Sequence, residues 1–352
     1  MPSALHHRHD ADPARSYTLP AEAYIRPDLA ALERERIFER SWHFAAHAGD
    51  VARPGRYVAG EVAGRGFVLV CGTDGQLRAF DNLCPARPHA VAAGRGRMDA
   101  LVCPAHGVRL PLEAVPSSWH VDRLASLVFV CPGPPPAPLA DAFPGLGEEL
   151  ARWVPEHGRL RFAARITSDL RANWKVMVDN SIECYHCAVA HPDFNTLLDL
   201  PSYRIVNHRR HATHTGRAGR PDNTAYALDG QATSAFASWW VWPNLLFGPF
   251  PGRPNLTVHQ ILPTGPETSR EHFDFYFLDT PPGAAERAAV DYFRDVLRPQ
   301  DVALCESVQR GLHSLGYRDG RLVDDAAGSA VSERNVHLFH GLVLEALAGE
   351  RS

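Results

Sequence analysis

The sequence predicts an α+β protein, with an all-β N-terminal domain ahead of a larger domain that lays helices over an antiparallel sheet. Three observations carry this reading. Tyr57 to Phe80 alternates apolar and small residues in two runs around Asp74-Gly75, a hairpin turn signal. A proline-rich stretch from Cys131 to Gly145 reads as an extended connector. Beyond it, helix-like and strand-like segments appear in blocks instead of alternating.

The elements follow in order. From Leu29 to Trp42 the spacing of Leu29, Leu32, Ile37 and Phe38 predicts a short amphipathic helix. Residues 1–42 are therefore expected to form a tail and helix, 43–145 the β domain, and 146–352 the larger domain. Within the latter, Asp169 to Pro192 reads as helical, Tyr203 to Leu278 as strands with turns at Pro243-Asn244 and Pro251-Gly252, and Ala284 to Leu347 as mostly helical.

Composition narrows the function classes. A chain of 352 residues, 45% hydrophobic and 22% charged, buries one large core or two modest ones. The net charge of −4 and the absence of a basic run exclude an electrostatic footprint for nucleic acid or an acidic membrane surface. Small-molecule chemistry is the expectation. No segment approaches the roughly 20 apolar residues that span a bilayer, and no signal-type apolar stretch opens the chain. Seven cysteines at irregular spacing fit a reducing compartment better than a disulfide framework, so a cytoplasmic location is expected. Cys71, Cys131, Cys184, Cys187 and Cys305 are read as buried small hydrophobes.

The most informative stretch is NWKVMVDNSIECYHCAVAHP, Asn173 to Pro192, which gathers Glu183, His186 and His191 in one helical neighbourhood. Two imidazoles hold a first-row metal when a distant carboxylate completes the set, and three protein ligands on one face leave open positions for oxygen and substrate. Two histidines five apart are weak evidence alone. The surrounding NWK-x4-N-x2-ECYHC-x3-HP, however, resembles the iron-binding segment of Rieske-type non-haem iron oxygenase large subunits, nearest the branch of choline monooxygenase and the glycine-betaine demethylases. LPAEAYI, the Glu33 to His47 segment, PGRY and AFDNLCP resemble the family's N-terminal pattern.

The resemblance implies a Rieske-like β domain, a helix-grip-like catalytic domain, and iron held by His186 and His191. It also gives Glu183 the position that bridges, in a trimer, to a neighbour's iron-sulfur cluster. DVALCESVQRGLHS, Asp301 to Ser314, resembles the segment whose leading aspartate binds the metal, so Asp301 is the third ligand expected and Glu306 the fallback. An aspartate at a helix start is also what the helix dipole favours.

The pattern breaks at the cluster. A Rieske centre needs two cysteines on one iron and two histidines on the other. The second half stands as Cys103-Pro104-Ala105-His106, but the first reads Cys84-Pro85-Ala86, and alanine cannot ligate iron. His89 is the nearest replacement, behind Pro88, which restricts the loop. Val108 stands where the family carries an aromatic, and the loop before Trp119 reads as shortened. The [2Fe-2S] centre is therefore expected to be absent or altered. A metal-free β domain ranks first among the alternatives, ahead of tetrahedral zinc on Cys84, His89, Cys103 and His106.

Aromatics between Ala237 and Gly252, with Trp240, Trp242 and Phe247 singled out, are expected to wall the substrate pocket. The function these readings imply is hydroxylation or oxidative dealkylation of a small organic molecule with O2. Electrons would come from a ferredoxin, a reductase or a cluster-bearing paralogue in a homo- or heterotrimer. The rival reading is a non-catalytic partner subunit of such an assembly.

Overall fold

The computed structural model describes residues 5–112, 117–135, 137–219, 222–228 and 235–349. Two compact units emerge: Phe38–Phe162, and a second made of the N-terminal residues to Ile37 with Ala163 onward.

The chain opens with α1 (Glu22–Ile25) and α2 (Pro27–Arg36). Proline at the start of α2 costs no hydrogen bond, because the first helical N–H has no intrahelical partner. The expected helix to Trp42 stops at Arg36, and Phe38–Arg40 forms a separate 3-10 turn in the other unit.

That other unit is the β unit. Its strands are β1 (His43–His47), β2 (Arg56–Val62), β3 (Arg65–Cys71), β4 (Leu77–Asp81), β5 (Arg95–Arg97), β6 (Ala100–Val102), β7 (Arg109–Pro111), β8 (His120–Leu124) and β9 (Leu127–Cys131). They form sheets ordered β1-β9-β8, β4-β3-β2-β5 and β6-β7. The hairpin expected at Asp74-Gly75 joins β3 to β4, and Gly75 takes the left-handed conformation at φ +78° that the tight turn requires. Two short helices follow, α3 (Leu139–Ala142) and α4 (Leu146–Trp153). The Asp122 carboxylate of β8 accepts from the Leu139 N–H at 2.9 Å, and the His157 carbonyl accepts from His47 Nε2 at 2.8 Å. These bonds tie the segment after the prolines back to the strands. The unit accordingly runs from Phe38 to Phe162, not from 43 to 145. Expected shortening of the loop before Trp119 concerns 113–116, which lie outside the described residues.

The larger unit is built on a seven-stranded antiparallel sheet. Its chain order is β10 (Arg161–Leu170), α5 (Trp174–Ser181), α6 (Cys187–Ala190), α7 (Phe194–Leu197), β11 (Leu198–Asn207), β12 (His211–Ala218), β13 (Ala235–Val241), β14 (Leu245–Gly248), β15 (Asn255–Gly265), β16 (Thr268–Phe277), α8 (Ala284–Tyr292), a π-helical turn Phe293–Leu297, α9 (Arg298–Leu312) and α10 (Arg334–Ala348). The sheet order is β10-β16-β15-β14-β13-β12-β11. Apart from β10 beside β16, every neighbour in the sheet is a neighbour in sequence, so most pairings close short loops at small entropic cost.

Asp169 to Pro192 is not one helix. The Asn173 side chain caps α5 by accepting from the Lys175 N–H, and α5 ends at Ser181, five residues before His186. Cys184 in the intervening turn and Cys187 at the start of α6 are buried, as expected, but form a disulfide, which corrects their reading as simple small hydrophobes. A separation of three in a helical turn brings their Cα atoms to 4.9 Å, inside the range a disulfide spans. Cys71, Cys131 and Cys305 are buried and free, as expected. Lys175, the chain's only lysine, is fully buried and paired with Glu33, whose other oxygen accepts from Trp174 Nε1 at 2.8 Å. Among the described residues no helix is long and apolar enough to cross a membrane.

Candidate metal centre and adjoining cavity

Two elements of the larger unit supply the centre. His186 sits at the N-cap of the four-residue α6 and His191 at its C-cap, so one short helix spaces them. On a continuous helix, positions five apart point about 140° away from each other. The break at each end of α6 brings the two rings to 5.1 Å between centroids instead. Asp301 stands in the first turn of α9.

The donor atoms of His186, His191 and Asp301 lie within 4.8 Å of one another. His191 Nε2 is 3.0 Å and His186 Nε2 is 3.6 Å from the same oxygen, Asp301 Oδ1. Each imidazole is oriented from behind. Glu183 contacts Nδ1 of His186, and Gln300 Oε1 lies 2.8 Å from Nδ1 of His191. Occupying both Nδ1 atoms turns both Nε2 atoms to the carboxylate, the arrangement an outer partner imposes on a metal-binding histidine.

Asp301 is held just as firmly. Asn180 Nδ2 donates to Oδ1 at 2.8 Å, and Arg298 donates to Oδ2 at 2.7 Å. Arg298 also donates to Glu271 at 3.1 Å, and Glu271 contacts His259 Nε2 at 2.9 Å. All four members of this chain are buried. Burial alone would raise the Asp301 carboxyl, but the Arg298 guanidinium and the two imidazoles outweigh it and hold it far below the carboxylate range. Burial would likewise lower His186, yet Asp301 and Glu183 raise it to about 9. The pocket is thus electronegative enough to attract a cation, and a metal entering it displaces a proton.

A cavity of about 140 Å³ adjoins two of the three donors, lined by His191 and Asp301 and by Phe194, Phe247, Phe250 and Phe293 among others. The structure separates the three aromatics expected there. Phe247 lines the cavity, whereas Trp240 and Trp242 pack against Phe339 of α10 at 5.8 and 6.0 Å between centroids. Side chains two apart on an extended segment share a face, so both indoles turn to the helix. Glu306, the fallback ligand, is engaged elsewhere, accepting from the Arg171 backbone N–H at 3.0 Å. Sequence reasoning gave no role to Asn180, Gln300, Arg298, Glu271 or His259. Asn180 stands inside the quoted motif and Gln300 directly before Asp301, so adjacency was the available signal for those two.

In the β unit, Cys84 follows β4, and Cys103 and His106 occupy the turn between β6 and β7. Their donor atoms form the second group within 4.8 Å found among the described residues. His106 Nδ1 is 3.3 Å from Cys103 Sγ and 3.9 Å from Cys84 Sγ. His89 is exposed and stays outside this group, its ring 5.1 Å from that of His106. Ala86 is exposed.

A seven-stranded antiparallel sheet carrying two histidines and an aspartate on covering helices defines the architecture of a non-haem iron oxygenase catalytic domain. Residues 157–349 match the family described as ring hydroxylating alpha subunit (catalytic domain), and residues 41–115 match the Rieske [2Fe-2S] domain. The chain belongs to the Rieske-type non-haem iron oxygenase alpha subunits, and it is an oxidoreductase of that kind.

Among its relatives, the carnitine monooxygenase oxygenase subunit of Escherichia coli (strain K12) is 33% identical, with 95% of each chain covered. The chloroplastic choline monooxygenase of Spinacia oleracea is 26% identical over 93% of this chain and 78% of the relative. A crystal structure of the quaternary ammonium Rieske monooxygenase CntA in complex with L-carnitine superposes with a TM-score of 0.85 at 31% identity, covering 96% of this chain and 97% of that one. Naphthalene 1,2-dioxygenase from Rhodococcus sp., at 20% identity and a TM-score of 0.76 over 95% of each chain, shares the fold. The family's two centres are a mononuclear iron and a Rieske [2Fe-2S] cluster.

Proposed function

We propose that the chain is an oxygenase component that hydroxylates or oxidatively dealkylates a small quaternary ammonium compound with O2. Convergence of His186, His191 and Asp301 beside a phenylalanine-lined cavity is the observation that carries this reading. The donor set fits a ferrous ion, with two neutral imidazoles and one carboxylate on one side. When bound, that iron supplies O2 activation at its open positions. The chain's own residues do the rest. Glu183 and Gln300 hold the imidazoles with Nε2 inward, and Arg298 and Asn180 fix the Asp301 carboxylate. The phenylalanine faces suit a quaternary ammonium, which they attract through the ring quadrupole while excluding water. The names of the relatives support the same substrate class.

The [2Fe-2S] site belongs to this proposal as an altered one. Ala86 supplies no donor, which leaves a second iron with His106 alone. Electrons then come from outside this chain's β unit, and we assign them to a cluster-bearing paralogous subunit in a mixed trimer. Glu183, which contacts His186 and stands where the family resemblance places the bridge to a neighbouring subunit, supports that choice.

Iron content and peroxide-driven turnover test the reading together, since hydrogen peroxide brings its own oxygen and electrons and bypasses the missing donor. The iron-loaded chain is expected to hold about one iron at the proposed centre. It is also expected to convert a trimethylammonium substrate with peroxide, and His191→Ala to lose both properties. A chain that binds no iron there but co-purifies with an iron-bearing paralogue is instead a non-catalytic subunit.

A further inference from the structure

We infer that the β unit holds a single zinc(II) ion on Cys84, Cys103 and His106 where its relatives hold a two-iron cluster. This rests on the reading of the cluster site as altered, and it goes further by naming what replaces the cluster.

The distances distinguish the two fillings. In a Rieske centre the cysteines bind one iron and the histidines the other, so both metal ions and their bridging sulfides separate sulfur donors from nitrogen donors. Here 3.3 Å separates Cys103 Sγ from His106 Nδ1, which leaves no room for that body between them. Tetrahedral zinc binds sulfur at about 2.3 Å and nitrogen at about 2.0–2.1 Å, placing the two donors about 3.6 Å apart. The observed 3.3 and 3.9 Å bracket that value.

Two turns bring the donors together. Gly107, at φ +66°, closes the Cys103-to-His106 turn, and the Cys103 N–H donates to the Val108 carbonyl at 2.9 Å. Across from it, the Cys84 N–H donates to the His89 carbonyl at 2.8 Å, which sets the Cys84 loop. Cys84 and Cys103 are buried against Val68, Val70 and Phe80, while His106 closes the set from the solvent side. Two thiolates and an imidazole select a borderline-soft ion that imposes no geometry of its own, which is zinc. The fourth position faces solvent. Such an ion staples the two loops as the cluster does in relatives, and, having no redox chemistry, it carries no electrons.

The test measures metals and acid-labile sulfide on the full-length chain, with cobalt(II) exchanged for zinc in a parallel sample. We expect about one zinc per chain, sulfide at background, and thiolate-to-cobalt charge-transfer absorption in the exchanged protein. Cys103→Ala should lose the zinc and keep the catalytic iron, His191→Ala should do the reverse, and His89→Ala should keep both. The cobalt spectrum needs no variant and stands if Cys103→Ala fails to fold. Two irons and two sulfides per chain beyond the catalytic iron, with a Rieske-type EPR signal on reduction, overturn both the zinc and the altered-cluster reading. Absent sulfide with neither zinc nor a cobalt-thiolate band overturns zinc alone. Loss of zinc in His89→Ala overturns the three-ligand set.

Discussion

The donor groups of the two units make an instructive pair. Each brings three side chains of metal-ligating type within 4.8 Å, yet one is largely buried and braced while the other reaches solvent through His106. Around Asp301 every donor has a partner behind it: Glu183 for His186, Gln300 for His191, and Arg298 and Asn180 for the carboxylate. In the β unit, the side-chain polar partners of Cys84, Cys103 and His106 are one another, the other support coming from apolar neighbours and from the backbone of two turns, including the Ala86 and Arg87 N–H groups at Cys84. A site whose geometry must survive turnover needs its ligands fixed in advance, whereas a site that only ties loops together can let the metal set the geometry.

The largest effect expected from this contrast is at Arg298. Replacing it by methionine leaves the buried Glu271 and Asp301 carboxylates uncompensated, so thermal unfolding should show a loss of about 3–5 kcal/mol. A change below about 1 kcal/mol would mean that solvent reaches the ion network. Next comes Gln300→Leu, which frees Nδ1 of His191 and should weaken iron binding about 10–100-fold in a titration. Unchanged affinity would place His191 in its orientation by packing alone, erasing one side of the comparison. Phe247→Ala removes one ring face from the cavity and should raise KM for a quaternary ammonium about 5–30-fold, with little change for an uncharged isostere. An equal change for both compounds would argue for simple volume loss.

The remaining effect is a pH dependence, and it probes the β unit away from its cysteines. His47 is buried, and this burial, opposed by its bond to the His157 carbonyl, holds the imidazole at about 4. An imidazole whose folded value lies below its unfolded one keeps its full stability above the unfolded value, about 6.5, and loses it as pH falls toward 4. Denaturant unfolding followed between pH 7 and 4 should show this loss, and His47→Gln should flatten that part of the slope. An unaltered slope in the variant would assign the acid sensitivity to other groups.

Much of the catalytic centre was legible because its donors lie in two short segments with distinctive neighbours. The motifs around His186, His191 and Asp301 mark these three residues in the sequence, and Asp74-Gly75 marks the hairpin. Trp240 and Trp242 misled because aromatic content alone does not reveal which face of a strand meets the cavity. Glu271 carried no local signal, since Arg298 and His259 stand on other elements, whereas Arg298 lies three residues before Asp301 on α9, a spacing that was open to reading.

By itself the sequence determined the α+β class, the residues from which both candidate donor sets are drawn and the absence of a histidine at position 86, because ligand chemistry and turn propensity are properties of residue types and short spacings. Tertiary structure decided which donors meet, that His89 stands aside, and that 3.3 Å separates a sulfur from a nitrogen in the β unit. The physical reason is that coordination is a matter of distance between groups far apart in the chain, and only the packing of strands and turns sets that distance.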